Sequence, residues 1–215
     1  MNLNELVEVI SVNTQSSIRI GAQKVIYFDP IEIKSAPKDA DIVFVTHEHG
    51  DHFDPDSIRN ICKEDTILAA PASMSEQLSL TGIAKDKIVL FSPGEKKEAC
   101  GLQVEAVAAC NTLKPFHPRR KGWVGYIVTV DGFRIYVAGD TDATKEVKAV
   151  RCDIALVPIG GKFTMNAKDA AAAVNCIRPS VCIPTHYGSI VGSRADEDEF
   201  RKHVSPDIKV TGKLF

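Results

Sequence analysis

Residues 47–52 read His47-Glu48-His49-Gly50-Asp51-His52, three imidazoles and a carboxylate of ligand type within six positions. Neutral imidazole and carboxylate are the ordinary ligands of zinc, manganese and iron. In a loop, His47 and His49 are two apart and can point the same way. Asp51 and His52 follow and can face a second point. Two ligand groups this close could hold two metals that share an oxygen. A solvated His-rich loop is the plain alternative. It would not be expected directly behind a core strand, and Ile42-Val43-Phe44-Val45-Thr46 is such a run, apolar and β-branched.

Two more strand-like runs end in ligand-type residues. Arg134 to Ala138 leads into Gly139-Asp140-Thr141-Asp142, and Val181 to Pro184 leads into Thr185-His186-Tyr187-Gly188. Alone, Asp140 is a turn former and His186 a hydrogen-bonded structural histidine. Three strand ends on one edge of a sheet are a place to assemble a site. Asp29, before Pro30, reads either as a turn former or as an outer acceptor for a ligand imidazole.

The elements that position these residues follow in order. Leu6 to Val12, Ser17 to Ile20 and Lys24 to Phe28 read as strands, the last two joined by a turn at Gly21-Ala22-Gln23. Asp54 caps a helix that has Pro55 at its first position and runs to about Ile61. Thr66 to Ala69 is a strand. Ser73 and Glu76 form a capping box for a helix to about Leu80. Ile88 to Phe91 and Leu102 to Ala108 are strands. Cys110 to Gly122 is a loop that carries Asn111, His117, Arg119, Arg120 and Lys121, and it reads as a substrate lid, mobile without ligand. Asp131-Gly132 joins the strands Gly125 to Val130 and Arg134 to Ala138 as a hairpin. Ile154 to Pro158 is a buried strand. Asn166 caps an alanine-rich helix to about Ile177. Ala195 to His203 is a surface helix, and Ile208 to Val210 a last strand. Strands dominate early in each half and alternate with helices later. Two packed mixed sheets with helices outside satisfy this: an α/β, four-layer αββα sandwich, read as a single domain over residues 1–215.

Composition limits the function. The 215 residues are 44% hydrophobic and 25% charged with a net charge of −2, so no global field attracts nucleic acid. No run approaches a membrane span and no basic, apolar leader opens the chain, so a cytoplasmic protein acting on a small molecule is expected. A homo-oligomer is compatible with this. The six cysteines are dispersed with no C-x-x-C pair and read as reduced core fillers, Cys110 beside the site residues excepted.

The motif T-H-E-H-G-D-H at residues 46–52, with G-D-T at 139–141 and T-H-Y-G at 185–188, resembles the metallo-β-lactamase-fold hydrolases. The likeness runs from Asp29 to Gly188. It is nearest the short branch of sugar-phosphate lactonases and phospholipase-D-like phosphodiesterases. The resemblance implies the αββα sandwich with one or two divalent ions on one edge, zinc first and manganese or iron as alternatives. His47 and His49 would bind the first ion, and Asp51 and His52 the second. Asp140 would bridge both, and His186 would complete the second. The family has a further histidine on the first ion. This sequence has Ala109-Cys110-Asn111 there, so His117, or more weakly the Asn111 carbonyl, would take that place.

The chemistry then expected is attack by a metal-bound hydroxide on a phosphodiester, lactone or related ester or amide bond, with Asp51 orienting the hydroxide and carrying a proton. Arg119, Arg120, Lys162 and Asn111 are the candidates for holding an anionic substrate; a solvated charge run is the plain reading of the basic ones. Glu48 reads as structural. A nuclease of this fold usually brings an added RNA-binding segment. A diiron redox relative usually replaces the second histidine of the motif, here His49, by a carboxylate. A non-catalytic metal-binding module is the remaining alternative.

Overall fold

The computed structural model describes residues 1–214. Six strands form the first sheet in sequential order: β1 (Ile10–Val12), β2 (Ile18–Gly21), β3 (Val25–Phe28), β4 (Ala40–Phe44), β5 (Cys62–Pro71) and β6 (Ile88–Phe91). The first three pair antiparallel, and β3 to β6 run parallel. The second sheet holds β7 (Lys96–Ala99), β8 (Leu102–Ala108), β9 (Val124–Val130), β10 (Phe133–Val137), β11 (Ile154–Pro158), β12 (Val181–Thr185) and β13 (Lys209–Val210), in the order 13-12-11-10-9-8-7. From β7 to β10 it is antiparallel, and from β10 to β13 parallel.

Side chains alternate across a strand, and that period assigns the core. Ile26, Phe28, Ile42 and Phe44 face the second sheet in the main cluster, while Tyr27, Val43 and Val45 face outward into a second cluster under α2 (Pro55–Ile61). The first sheet is therefore buried on both faces, which is why Ile42 to Val45 is apolar without interruption. Between the sheets, Phe44 lies 4.9 Å from Tyr126 and stacks on Phe28 at 4.8 Å. On the far side, α4 (Ala167–Ile177) buries Ala170, Ala171, Ala173, Val174 and Ile177. Further helices are α1 (Leu3–Glu8), α3 (Lys145–Lys148) and α5 (Arg194–His203). The layer order is the expected αββα sandwich.

Four local expectations change. Leu6 to Val12 is not one strand: α1 takes Leu3–Glu8, and only Ile10–Val12 is extended. An Asn2–Glu5 capping box wins there, the Asn2 side chain accepting from Glu5 N–H and the Glu5 carboxylate from Asn2 N–H. Ser73 caps nothing. The segment between Pro71 and Gly82 makes two 3-10 turns, Ala72–Met74 and Gln77–Thr81, without a side-chain cap. β7 and α3 were not expected. The Lys96-Lys97-Glu98 stretch has too few apolar residues to read as a strand, but it is an outermost strand, where charge is tolerated. The lid segment is also tied down. Asn111 donates to Phe163 O at 2.9 Å, Lys114 to Thr164 O at 2.6 Å, and Asp142 N–H to Cys110 O at 3.0 Å.

Candidate metal centre

The parallel strands of both sheets end on one edge of the sandwich. His47, His49 and His52 follow β4 of the first sheet. His117 follows β8, Asp140 follows β10 and His186 follows β12 of the second. Their donor atoms form three overlapping groups, each with atoms within 4.8 Å of one another: His47, His49 and His117; His47, His52 and Asp140; Asp51, His52 and His186. All seven expected ligand residues are thus brought together, His117 included. Asn111 offers no metal-facing oxygen, because its Oδ1 accepts from His117 N–H at 2.9 Å and lies 3.2 Å from His117 Nδ1.

Asp140 sits between the groups. Its Oδ1 lies 3.2 Å from His52 Nε2, and its Oδ2 lies 3.3 Å from His117 Nε2 and 3.4 Å from His186 Nε2. Asp51 Oδ2 is 3.3 Å from His186 Nε2. These are ion-pair distances without hydrogen-bond geometry. Among the described residues, the Nε2 atoms of His52, His117 and His186 and the Asp140 Oδ1 are buried with no hydrogen-bond partner. Orphaned buried polar atoms cost about 1–3 kcal/mol each, and a centre of several facing inward needs a common partner. A divalent cation fits that donor set.

Outer contacts aim the ligands. Asp29, fully buried, accepts from Thr46 N–H, Thr46 Oγ1–H and the His52 Nδ1–H, each at 2.7 Å. Burial raises the Asp29 carboxyl above its ordinary value, and the His52 and Thr46 contacts oppose that. Since Thr46 gives its proton to Asp29, its oxygen accepts from His47 Nδ1–H at 3.0 Å. Through Thr46 and directly, one carboxylate thereby holds both His47 and His52 by Nδ1 and turns each Nε2 toward the centre. Asp29 is the outer acceptor and the turn former at once, with φ 44°. His186 is also left-handed, at φ 55°, its N–H held by Gln15 O at 2.9 Å. Such backbone costs about 1–3 kcal/mol and clusters at working sites.

Burial, then the neighbouring His52, hold His47 well below the usual imidazole range, so it is neutral and ready to ligate. Burial also lowers His49, with His117 adding to it. Burial opposes a charge on His52, but Asp140 and Asp29 outweigh it and raise the imidazole well above its ordinary value. For Asp140, burial is likewise overcome, by His52 and His186, and the carboxyl is held well below the usual range.

Several side chains fall elsewhere. Arg119, 57% exposed, forms a two-pronged ion pair with Glu146, at 3.0 and 3.1 Å. Lys162 rests its Nζ 4.9 Å from the Phe163 ring centroid. The cavity over the centre, about 360 Å³, is walled by His49, Asp51, Phe116, His117, Asp140, Phe163 and Ile190. Arg119, Arg120, Lys162 and Asn111 are not on that wall, so the structure does not place them as the expected substrate-holding group. Glu48 is structural as read, bonded to Lys121 and Gln77. Cys110 joins no ligand group, and burial raises its thiol pKa.

Sequence reasoning missed Trp123, tilted against His47 at 5.0 Å and edge-on to His49 and His117 at 4.8 and 5.5 Å. Its signal was its place right after the basic loop. Gly139 was also missed: a Cβ there would lie 3.0 Å from that of Thr46, at φ 62°. Phe116, Phe163 and Ile190 carried no motif.

Comparison with known proteins places this geometry. The model of the beta-lactamase superfamily domain matches residues 11–186. A UPF0173 metal-dependent hydrolase of Pyrococcus abyssi is 33% identical over 179 residues, covering 80% of this chain and 78% of that protein. One from Thermococcus onnurineus is 30% identical over 185 residues, covering 80% and 78%. A solved structure from Parabacteroides distasonis, described as a metal-dependent hydrolase, superposes with a TM-score of 0.81 at 30% identity over 96% of this chain and 93% of that one. With its two-sheet sandwich and its strand-end cluster of histidines and aspartates, the chain belongs to the beta-lactamase superfamily, as a metal-dependent hydrolase of the metallo-β-lactamase fold.

Proposed function

We propose that the chain hydrolyses a small molecule at the strand-end centre, with His47, His49 and His117 holding one divalent ion and Asp51, His52 and His186 a second. Asp140 lies between the two. The observation that carries this is Asp140, buried, with its two oxygens facing three imidazole nitrogens that lack hydrogen-bond partners. Imidazole with carboxylate suits zinc, and also manganese or iron. A bound ion would lower the pKa of water toward neutrality and polarise the bond under attack. The bond class proposed is phosphodiester, lactone, or related ester or amide.

The protein's own groups do the rest. Asp29, directly and through Thr46, and Asn111 hold the rings of His52, His47 and His117 by their Nδ1 atoms. Asp51 lines the cavity and keeps 23% of its side chain exposed, against 3% for Asp140. Its Oδ2 can therefore accept a proton from the attacking water and pass it to the leaving group or to solvent. Burial opposes its ionisation, but His186 and His52 keep its carboxyl below the ordinary value, so it stands ionised. Trp123, Phe116 and Phe163 shield the centre from bulk water.

The test is elemental analysis of the purified chain, followed by turnover of a phosphodiester, a lactone and an aryl ester after loading with zinc, manganese or iron. Metal bound with turnover of one bond class is the expected result. Absence of transition metal after reconstitution would sink the reading.

A further inference from the structure

The cavity wall divides into two halves. One is the ligand edge, with His49, Asp51, His117 and Asp140; the other is Phe116, Phe163 and Ile190. Phe116 stands edge-on to Phe163 with centroids 4.7 Å apart, so a ring from the lid segment meets a ring from the loop after β11. Phe116 is 40% exposed and Ile190 61% exposed, which is costly apolar surface for a side of the cavity unless a ligand covers it. Among the described residues, no lysine or arginine lines the cavity. Four cations of the neighbouring loops are turned to other groups. Lys114 bonds Asp142 and Thr164 O, Arg119 pairs with Glu146, and Lys121 pairs with Glu48. Lys162 lies on the Phe163 ring. An anionic group held away from the scissile bond would lose hydration there and meet apolar surface instead of a cation.

We infer that the substrate carries an uncharged apolar group, aryl or branched alkyl, seated against Phe116, Phe163 and Ile190, and has no anionic group remote from the bond that is cleaved. That the bound molecule is a substrate rests on the proposed hydrolysis; the binding preference itself does not. The ligand edge supplies polarity at the reacting end, and the two rings with Ile190 select the other end by shape and by exclusion of charge.

The test compares N-benzylacetamide with N-(4-sulfobenzyl)acetamide, alike except for a sulfonate at the far end of the ring. Binding is read by the fluorescence of Trp123, the single tryptophan of the chain. It is read in the zinc-loaded full chain and again after chelation, which removes metal coordination as a source of anion affinity. The neutral amide should bind at least about tenfold more tightly in both states, the equivalent of ~1.4 kcal/mol. The double variant Phe116→Ala, Phe163→Ala should lose at least about tenfold in that affinity, and Ile190→Arg should shrink the preference. Equal or tighter binding of the sulfonate would overturn the inference, as would undetectable binding of the neutral amide or its insensitivity to the double variant. A sulfonate preference abolished by Lys162→Ala would overturn it too and identify the cation that does recognise an anion. Neutral-amide binding without turnover of any ester, lactone or phosphodiester would leave this inference standing and remove the hydrolase reading.

Discussion

Asp29 works on two imidazoles at once, and that makes it the most consequential residue that need not touch a metal. Asp29→Ala should weaken metal binding by roughly 10–100-fold, as loss of an outer orienting partner does. It also strands the buried His52, so the chelated protein should lose on the order of 3–5 kcal/mol of stability. Denaturant unfolding beside a metal titration checks both, and unchanged affinity would show that the Thr46 and His52 contacts are only structural. Asp51→Ala should lower kcat by roughly 10²–10⁴-fold while the fold survives, because this half-open carboxylate makes few core contacts. Near-wild-type turnover in a metal-replete Asp51→Ala protein would refute its role as proton acceptor. His117→Ala should lose metal together with rate, since its Nε2 belongs to the same cluster as His47 and His49. Metal retained in that variant, with only KM raised, would return His117 to the lid.

At the scale of elements, the close approach of β11 and β12 beyond their ends is a further place to break the centre. A Cβ on Gly160 would stand 2.2 Å from His186 O and 2.7 Å from a Val191 methyl. Gly160→Ala should push the left-handed His186 out of line, so metal content should fall even though no ligand is replaced. A fully loaded Gly160→Ala protein would show that the segment yields. Arg119→Ala with Arg120→Ala should leave KM unchanged and cost at most about 1 kcal/mol, the ceiling for an exposed pair such as Arg119–Glu146. A raised KM for an anionic substrate would restore the basic loop to the site. Strands buried on both faces, such as β4, and the Asp131-Gly132 turn, with φ of 49° and 85°, were legible because hydrophobic period and turn chemistry agree there. The Asn2–Glu5 box was overlooked because Leu6 to Val12 is apolar enough to imitate a strand. Asp29, His117 and Asn111 could be singled out from sequence, but which of them touches a metal is a matter of tertiary placement, which local pattern does not encode. The apolar half of the cavity had no pattern at all, since Phe116, Phe163 and Ile190 come from separate loops.

Across the whole molecule, ligands come from both sheets: His47, His49, Asp51 and His52 from beyond β4, and His117, Asp140 and His186 from beyond β8, β10 and β12. Ions held there would be clasps joining two layers that otherwise meet through side-chain packing and a few hydrogen bonds, such as Tyr126 Oη–H to Val45 O at 2.9 Å. A ligand at a hundredfold excess over its Kd adds about 2.7 kcal/mol to the folded state, so chelation should lower Tm. The loss should be local before it is global. Hydrogen exchange on the chelated protein should quicken at residues 46–53, 139–142 and 185–188, while amides of β9 to β11 keep their protection. Uniform acceleration along the chain would mean that the packed layers hold the edge without help. With the edge clasped in this way, removal of the ions would free the two layers to spread there, so the shape of the cavity would depend on the metal as well as on its loops.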